Sequence, residues 1–192
     1  MKPINAWFAI LVALALGVLL GARLGALFGL LLAAVFTDVM CRKIPNKLIV
    51  IGLLLGVFFQ IFYFGLGGFI SALGGFFLGF SLLLPFYFLR IMAAGDVKLM
   101  AMVGCFVGIS DIVGVVLGTL LAGGFLSLLF SLRSKSVRQL LLNVRIVSML
   151  GISKVMSGKA PVNDGIVGSV GTLPYAMAIA FGTAGYFLWN GV

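Results

Sequence analysis

The chain has 192 residues, of which 63% are apolar and only 9% charged, and its mean hydropathy is +1.32. A soluble domain is nearer half apolar and a quarter charged, so a soluble globular protein is excluded. The net charge of +9 arises from 13 Lys plus Arg against four acids, Asp38, Asp96, Asp111 and Asp164, with no Glu and no His.

Such a charge would suggest nucleic acid in a soluble protein. In a membrane protein the bland reading wins, because cytoplasmic loops collect Lys and Arg, and no nucleic-acid partner is expected. The missing histidines remove Ser-His and Cys-His nucleophilic systems and His-based metal sites. Cys41 and Cys105 are too few for tetrahedral zinc and lie far apart in sequence. Neither metal nor cofactor is therefore expected, and hydrolytic chemistry would fall to the carboxylates. The 27 glycines follow no collagen-like period and suit transmembrane helices that approach closely.

Residues 6–37 form an apolar run broken only by Arg23. One helix of that length would reach roughly 48 Å, beyond a ~30 Å hydrocarbon core, with Arg23 near the bilayer centre. Two short spans, 6–22 and 24–40, with Arg23 at their turn are preferred. The rival is a single tilted helix with Arg23 buried against protein. The run is too long for a simple cleaved signal peptide. A basic turn follows at 41–47, where Pro45 marks a helix start. Spans are predicted at 48–64 and 69–89, joined by a turn at Gly65–Gly68 and with Pro85 as a kink. A loop at 90–96 leads to a short apolar segment, 97–109. Ser110 and Asp111 make a turn before a span at 112–132. Residues 133–160 are basic, and Val137–Met156 reads as an amphipathic helix lying in the interface. A last span, 171–189, is entered through Pro174.

The segments 41–47, 90–98 and 133–160 hold 11 of the 13 Lys and Arg and alternate with poorly charged turns. They should be cytoplasmic, which puts Asp38 and Asp96 on one face and Asp111 on the other. The fold class expected is thus an all-α polytopic membrane protein. It has six core transmembrane helices, an extra N-terminal span and a cytoplasmic interfacial helix, all in a single domain.

Asp38 ends one apolar run and Asp96 opens another, with two spans between them that go out and return. Two aspartates sharing a site cannot both ionise cheaply, so the pair holds a proton between them. The ionised member can take a proton from water while the protonated one polarises a carbonyl, which is peptide hydrolysis without a covalent intermediate. Structural roles are open as well. Asp96 could cap the next helix, and Asp38 could pair with Arg42 four residues on. Asp111 and Asp164 look like turn aspartates. Gln60 reads as an interhelical hydrogen bond.

Thr37-Asp38, then Arg42-Lys43-Ile44-Pro45-Asn46-Lys47-Leu48, then Gly95-Asp96-Val97-Lys98-Leu99 resemble the two signatures of type IV prepilin peptidases, polytopic aspartic proteases of the GxGD type. The stretch from Leu173 to Ala180 is similar to their C-terminal span. The resemblance implies cleavage of the basic leader of prepilins at the cytoplasmic face of the bacterial inner membrane. Asp38 and Asp96 would be the catalytic pair, with Pro45, Asn46, Ala93, Gly95 and Lys98 supporting them. Prepilins and the lipid bilayer would be the partners. The chain looks like the short enzymes of tight-adherence (Flp) pili, since nothing matches the cysteine-rich segment that long forms link to N-methylation. Residues 1–23 look like an addition to a peptidase core of 24–192. One departure is Ala93, where the motif has its first Gly. The competing classes are a small transporter using the two aspartates as a proton relay, and an inactive structural subunit of a pilus or secretion apparatus.

Overall fold

The computed structural model describes residues 21–89, 92–133 and 175–191. Their regular structure is helical: α1 (Ala22–Cys41), α2 (Asn46–Phe88), α3 (Ala94–Val107), α4 (Ile112–Arg133) and α5 (Tyr175–Trp189). No strand occurs among the described residues. Helices α1, α2 and α4 are long and apolar enough to cross a membrane, and α5 is a shorter apolar helix. The expected first span, 6–22, lies outside the described residues except for its last two positions. The interfacial helix and Asp164 lie outside them altogether.

Gly21 precedes α1 with φ at 82°, a left-handed backbone that glycine adopts without strain. The helix then covers the expected span 24–40. Arg23 lies in the first turn of α1, two residues after the non-helical Gly21, and the span expected before it lies outside the described residues but for its last two positions. Its guanidinium is turned onto the carbonyls of Phe106 and Val107, which satisfies the charge without exposing it to lipid. At the other end Arg42 closes the helix in the left-handed region, φ 51°, and its N–H donates to the Asp38 carbonyl at 2.8 Å. Pro45, with φ −64° and ψ 129°, then starts α2 at Asn46 as its fixed φ anticipates.

The 43 residues of α2 would make a rod of about 65 Å if straight, twice the hydrocarbon thickness. The helix is broken at Gly65, where φ is 60° and ψ −142°. There the chain folds back so tightly that a Cβ on Gly68 would lie 1.9 Å from the Gln60 carbonyl oxygen. The turn predicted over four residues is thus concentrated in one glycine. Backbone dihedrals stay helical at Pro85, so α2 is a hairpin broken once.

Both arms of the hairpin clasp α3. Gly52 and Gly56 of the first arm abut Met102 and Cys105, and Gly75 and Gly79 of the second abut Gly104 and Met100. These pairings run in opposite directions along α3, as a hairpin requires. Beyond Lys98 helix α3 is apolar all round, and Leu99, Met100, Met102, Val103 and Phe106 are fully buried. It starts at Ala94, three residues before the predicted segment, because the Asp96 side chain bonds back to the N–H of Ala93. It stops at Gly108, whose φ of 89° ends the helix before the predicted boundary.

Helices α4 and α5 pack through small residues. Gly118 faces Gly182, and a Cβ on Gly182 would lie 2.3 Å from the Thr119 nitrogen. The hydroxyls of Thr119 and Thr183 are satisfied within their own helices, by the carbonyls of Val115 and Ile179. Helix α5 also packs on α1, and so brings its first turn to the end of α1 that carries Asp38.

Candidate active site

Asp38 lies in the last turn of α1 and Asp96 in the first turn of α3. They are 9% and 6% exposed, which is rare for aspartate without a partner. Each is held by one backbone N–H. Ala176, in the first turn of α5, donates to Asp38 Oδ2 at 3.2 Å. Ala93 donates to Asp96 Oδ2 at 3.1 Å, while the Asp96 N–H donates to the Ala93 carbonyl at 3.1 Å. The first contact is the reciprocal half of a capping box, so Asp96 does cap its helix. Among the described residues, capping engages one carboxylate oxygen of Asp96. Likewise the hydrogen bond from Ala176 uses only Oδ2 of Asp38.

The two carboxylates feel each other. Asp96 sits at the loop end of α3, outside the three long apolar helices. Burial pushes its carboxyl up to about 6; the Ala93 N–H opposes that shift and the nearby Asp38 charge adds to it. The arrangement is a pair of acids from two helices, in a site that disfavours ionising Asp96.

A family model for the type IV leader peptidase family matches residues 25–128, a stretch that contains both aspartates. The chain belongs to the type IV leader peptidase family. No curated protein and no solved structure matches it. It is accordingly a membrane protein of a protease family, and its remaining motif positions can be placed on that footing.

In this family member Ala93 has φ −81° and ψ 155°, an extended conformation open to any residue. The alanine at the first glycine position of the motif therefore imposes no left-handed strain. Gly95 lies within the first turn of α3, and a Cβ there would make only ordinary contacts at 3.6 Å with Ile44. Lys98, two residues beyond Asp96, donates to Asn46 Oδ1 at 3.3 Å and ties the start of α3 to the start of α2. Pro45 sets that start of α2 in turn. Helix α5 is what the sequence reading missed in the site. Nothing in the spacing indicated that Ala176 would meet Asp38 across 138 positions.

The other flagged polar residues gather at the far end of α1. Gln60, 2% exposed, donates to the Phe106 carbonyl at 3.0 Å, the interhelical bond expected of it. Asp111 lies in the turn between α3 and α4 and accepts from the Tyr186 hydroxyl at 3.0 Å. Cys41 is exposed and Cys105 buried.

Proposed function

We propose that this protein is a membrane aspartic endopeptidase that removes the basic leader of type IV or tight-adherence prepilins at the cytoplasmic membrane face. The observation that carries this reading is the pair itself: two buried carboxylates from different helices, within electrostatic reach, each accepting from a backbone N–H on one oxygen among the described residues.

Asp96 is the member that keeps a proton, because burial disfavours its ionised form. It donates to the carbonyl oxygen of the scissile peptide and polarises it. Asp38 is the base. It takes a proton from a water between the two carboxyls as that water attacks the carbonyl carbon. The tetrahedral species collapses as Asp38 passes its proton to the leaving nitrogen and Asp96 takes one back from the hydroxyl that becomes the new carbonyl, and the C–N bond breaks without a covalent enzyme intermediate. The N–H groups of Ala93 and Ala176 each hold one oxygen of a carboxyl, which limits the orientational freedom the pair has to lose on reaction. Lys98 and Asn46 hold the α2–α3 corner beside Asp96. The basic segments 41–47 and 90–98 flank the pair in sequence and support a cytoplasmic placement.

Co-expression with candidate prepilins tests this function. A faster-migrating, leader-free pilin is expected with the wild-type chain and an unprocessed one with Asp96→Asn. Equal processing by both would exclude the proposed chemistry.

A further inference from the structure

Helices α1 and α3 each bear one aspartate, and their polar contacts lie at both ends. At one end Asp38 and Asp96 come within electrostatic reach. At the other, Arg23 Nε donates to the Phe106 carbonyl at 3.0 Å, and Nη2 reaches the same oxygen and that of Val107. The helices therefore run antiparallel, with Arg23 at the start of α1 facing the end of α3. Direct packing between them is otherwise slight, since α3 is clasped mainly by the α2 hairpin.

The far-end contact is well built. The last carbonyls of a helix lack intrahelical donors, and a cation there is favoured by the helix dipole. Phe106 and Val107 are the last two residues of α3, before Gly108 ends it. The guanidinium also lies 5.5 Å from the centre of the Phe64 ring. It borders a cavity of about 330 Å³ whose wall includes Gln60, Ser71 and Asp111, so the charge faces polar groups rather than lipid. Gln60 donates to the same Phe106 carbonyl, but from α2.

From Arg23 to Asp38 α1 rises about 22 Å, and from Asp96 to Phe106 α3 rises about 15 Å. With the two aspartates taken as level, the difference of about 7 Å falls to the long Arg23 side chain, which reaches the Phe106 carbonyl. Changing that side chain lets α1 slide along α3, and a slide moves Asp38 relative to Asp96.

We propose that Arg23 is a positioning residue, a clamp on the opposite side of the molecule that sets the height of Asp38 against Asp96. The proposal rests on the reading of these two aspartates as the catalytic pair.

The experiment separates geometry from catalysis. In the full chain carrying Cys41→Ser and Cys105→Ala, the changes Asp38→Cys and Asp96→Cys are joined by a short bifunctional thiol reagent in native membranes. The yield needs no peptidase activity. Arg23→Gln, too short to bridge, is expected to cut it severalfold. Arg23→Lys, which keeps the charge but reaches one carbonyl at a time, is expected to fall between. Gln60→Leu removes a donor from the same carbonyl without touching α1, and is expected to leave the yield unchanged. In the chain with both aspartates, Arg23→Gln should lower kcat for prepilin cleavage by about 10²-fold with little change in KM, the cost typical of a 1 Å misplacement. An unchanged cross-link with Arg23→Gln, or an equal loss with Gln60→Leu, would overturn the clamp. If Arg23→Gln does not accumulate, a wild-type yield with Arg23→Lys overturns it. Failure of the wild-type chain to cleave any prepilin would instead strike the peptidase reading, and the cross-link would still decide the clamp.

Discussion

Replacing Gly104 by alanine probes the seat of the helix that carries Asp96. A Cβ at Gly104 would lie 2.1 Å from the carbonyl oxygen of Gly75 and 2.6 Å from its carbonyl carbon. Ordinary contact begins near 3.4 Å, so α3 and the second arm of α2 must part by about 1.3 Å, and the obstacle is backbone that no rotamer change can relieve. Overpacking of this kind costs about 1–3 kcal/mol. A radial gap of 0.5–1 Å also forfeits a quarter to a half of the dispersion energy of each contact it opens. The same displacement shifts α3 and with it Asp96, so cleavage should fall by about 10²-fold. Thermal unfolding in detergent and prepilin cleavage in liposomes measure the two effects. Gly124→Ala is the control, since a Cβ there meets nothing within 4 Å, and it should stay within about 0.5 kcal/mol of wild type. If Gly104→Ala unfolds and cleaves like Gly124→Ala, the close clasp of α3 by the hairpin is wrong.

Cleavage should decline as pH rises above about 6, because Asp96 then loses the proton it must donate, and decline again in acid as the pair becomes fully protonated. The observed midpoints belong to the pair, and a rate flat from pH 5 to 8 would contradict the assignment. Tyr186→Phe should cost about 0.5–1.5 kcal/mol through the lost bond to Asp111 while leaving cleavage near normal, as read by unfolding and by gel. A membrane-impermeant thiol reagent should label Cys41 in inverted vesicles and not in intact cells, and labelling from outside would reverse the orientation.

Much of this arrangement was legible in the sequence because single residues with narrow conformational options announce it. Pro45 marked the start of α2, and the turn around Gly65 was visible as a glycine-rich break between apolar runs. Asp38 and Asp96 were identifiable because four acids in 192 residues leave few choices. Three features were not legible. The boundaries of α3 moved because the Asp96 side chain reaches back to Ala93, a local bond that hydropathy cannot register. The contacts of Arg23 were hidden because its acceptors are carbonyls 83 and 84 positions away, and backbone groups carry no sequence signal. The bond from Ala176 to Asp38 was hidden for the same reason. The alanine at position 93 turned out to be compatible with its backbone, since a departure from a motif matters only where the local dihedrals demand glycine.

The most direct measurement is prepilin cleavage by Asp38→Asn, Asp96→Asn and the double variant, each reconstituted in liposomes at matched protein level. Asparagine keeps the size of the side chain and an oxygen to accept from Ala176 or Ala93, so the fold should survive while proton exchange with water does not. Each single change should abolish nearly all cleavage, and the double change should be little worse than either, because residues acting as a unit are non-additive. Near wild-type cleavage by Asp38→Asn would contradict the two-aspartate mechanism.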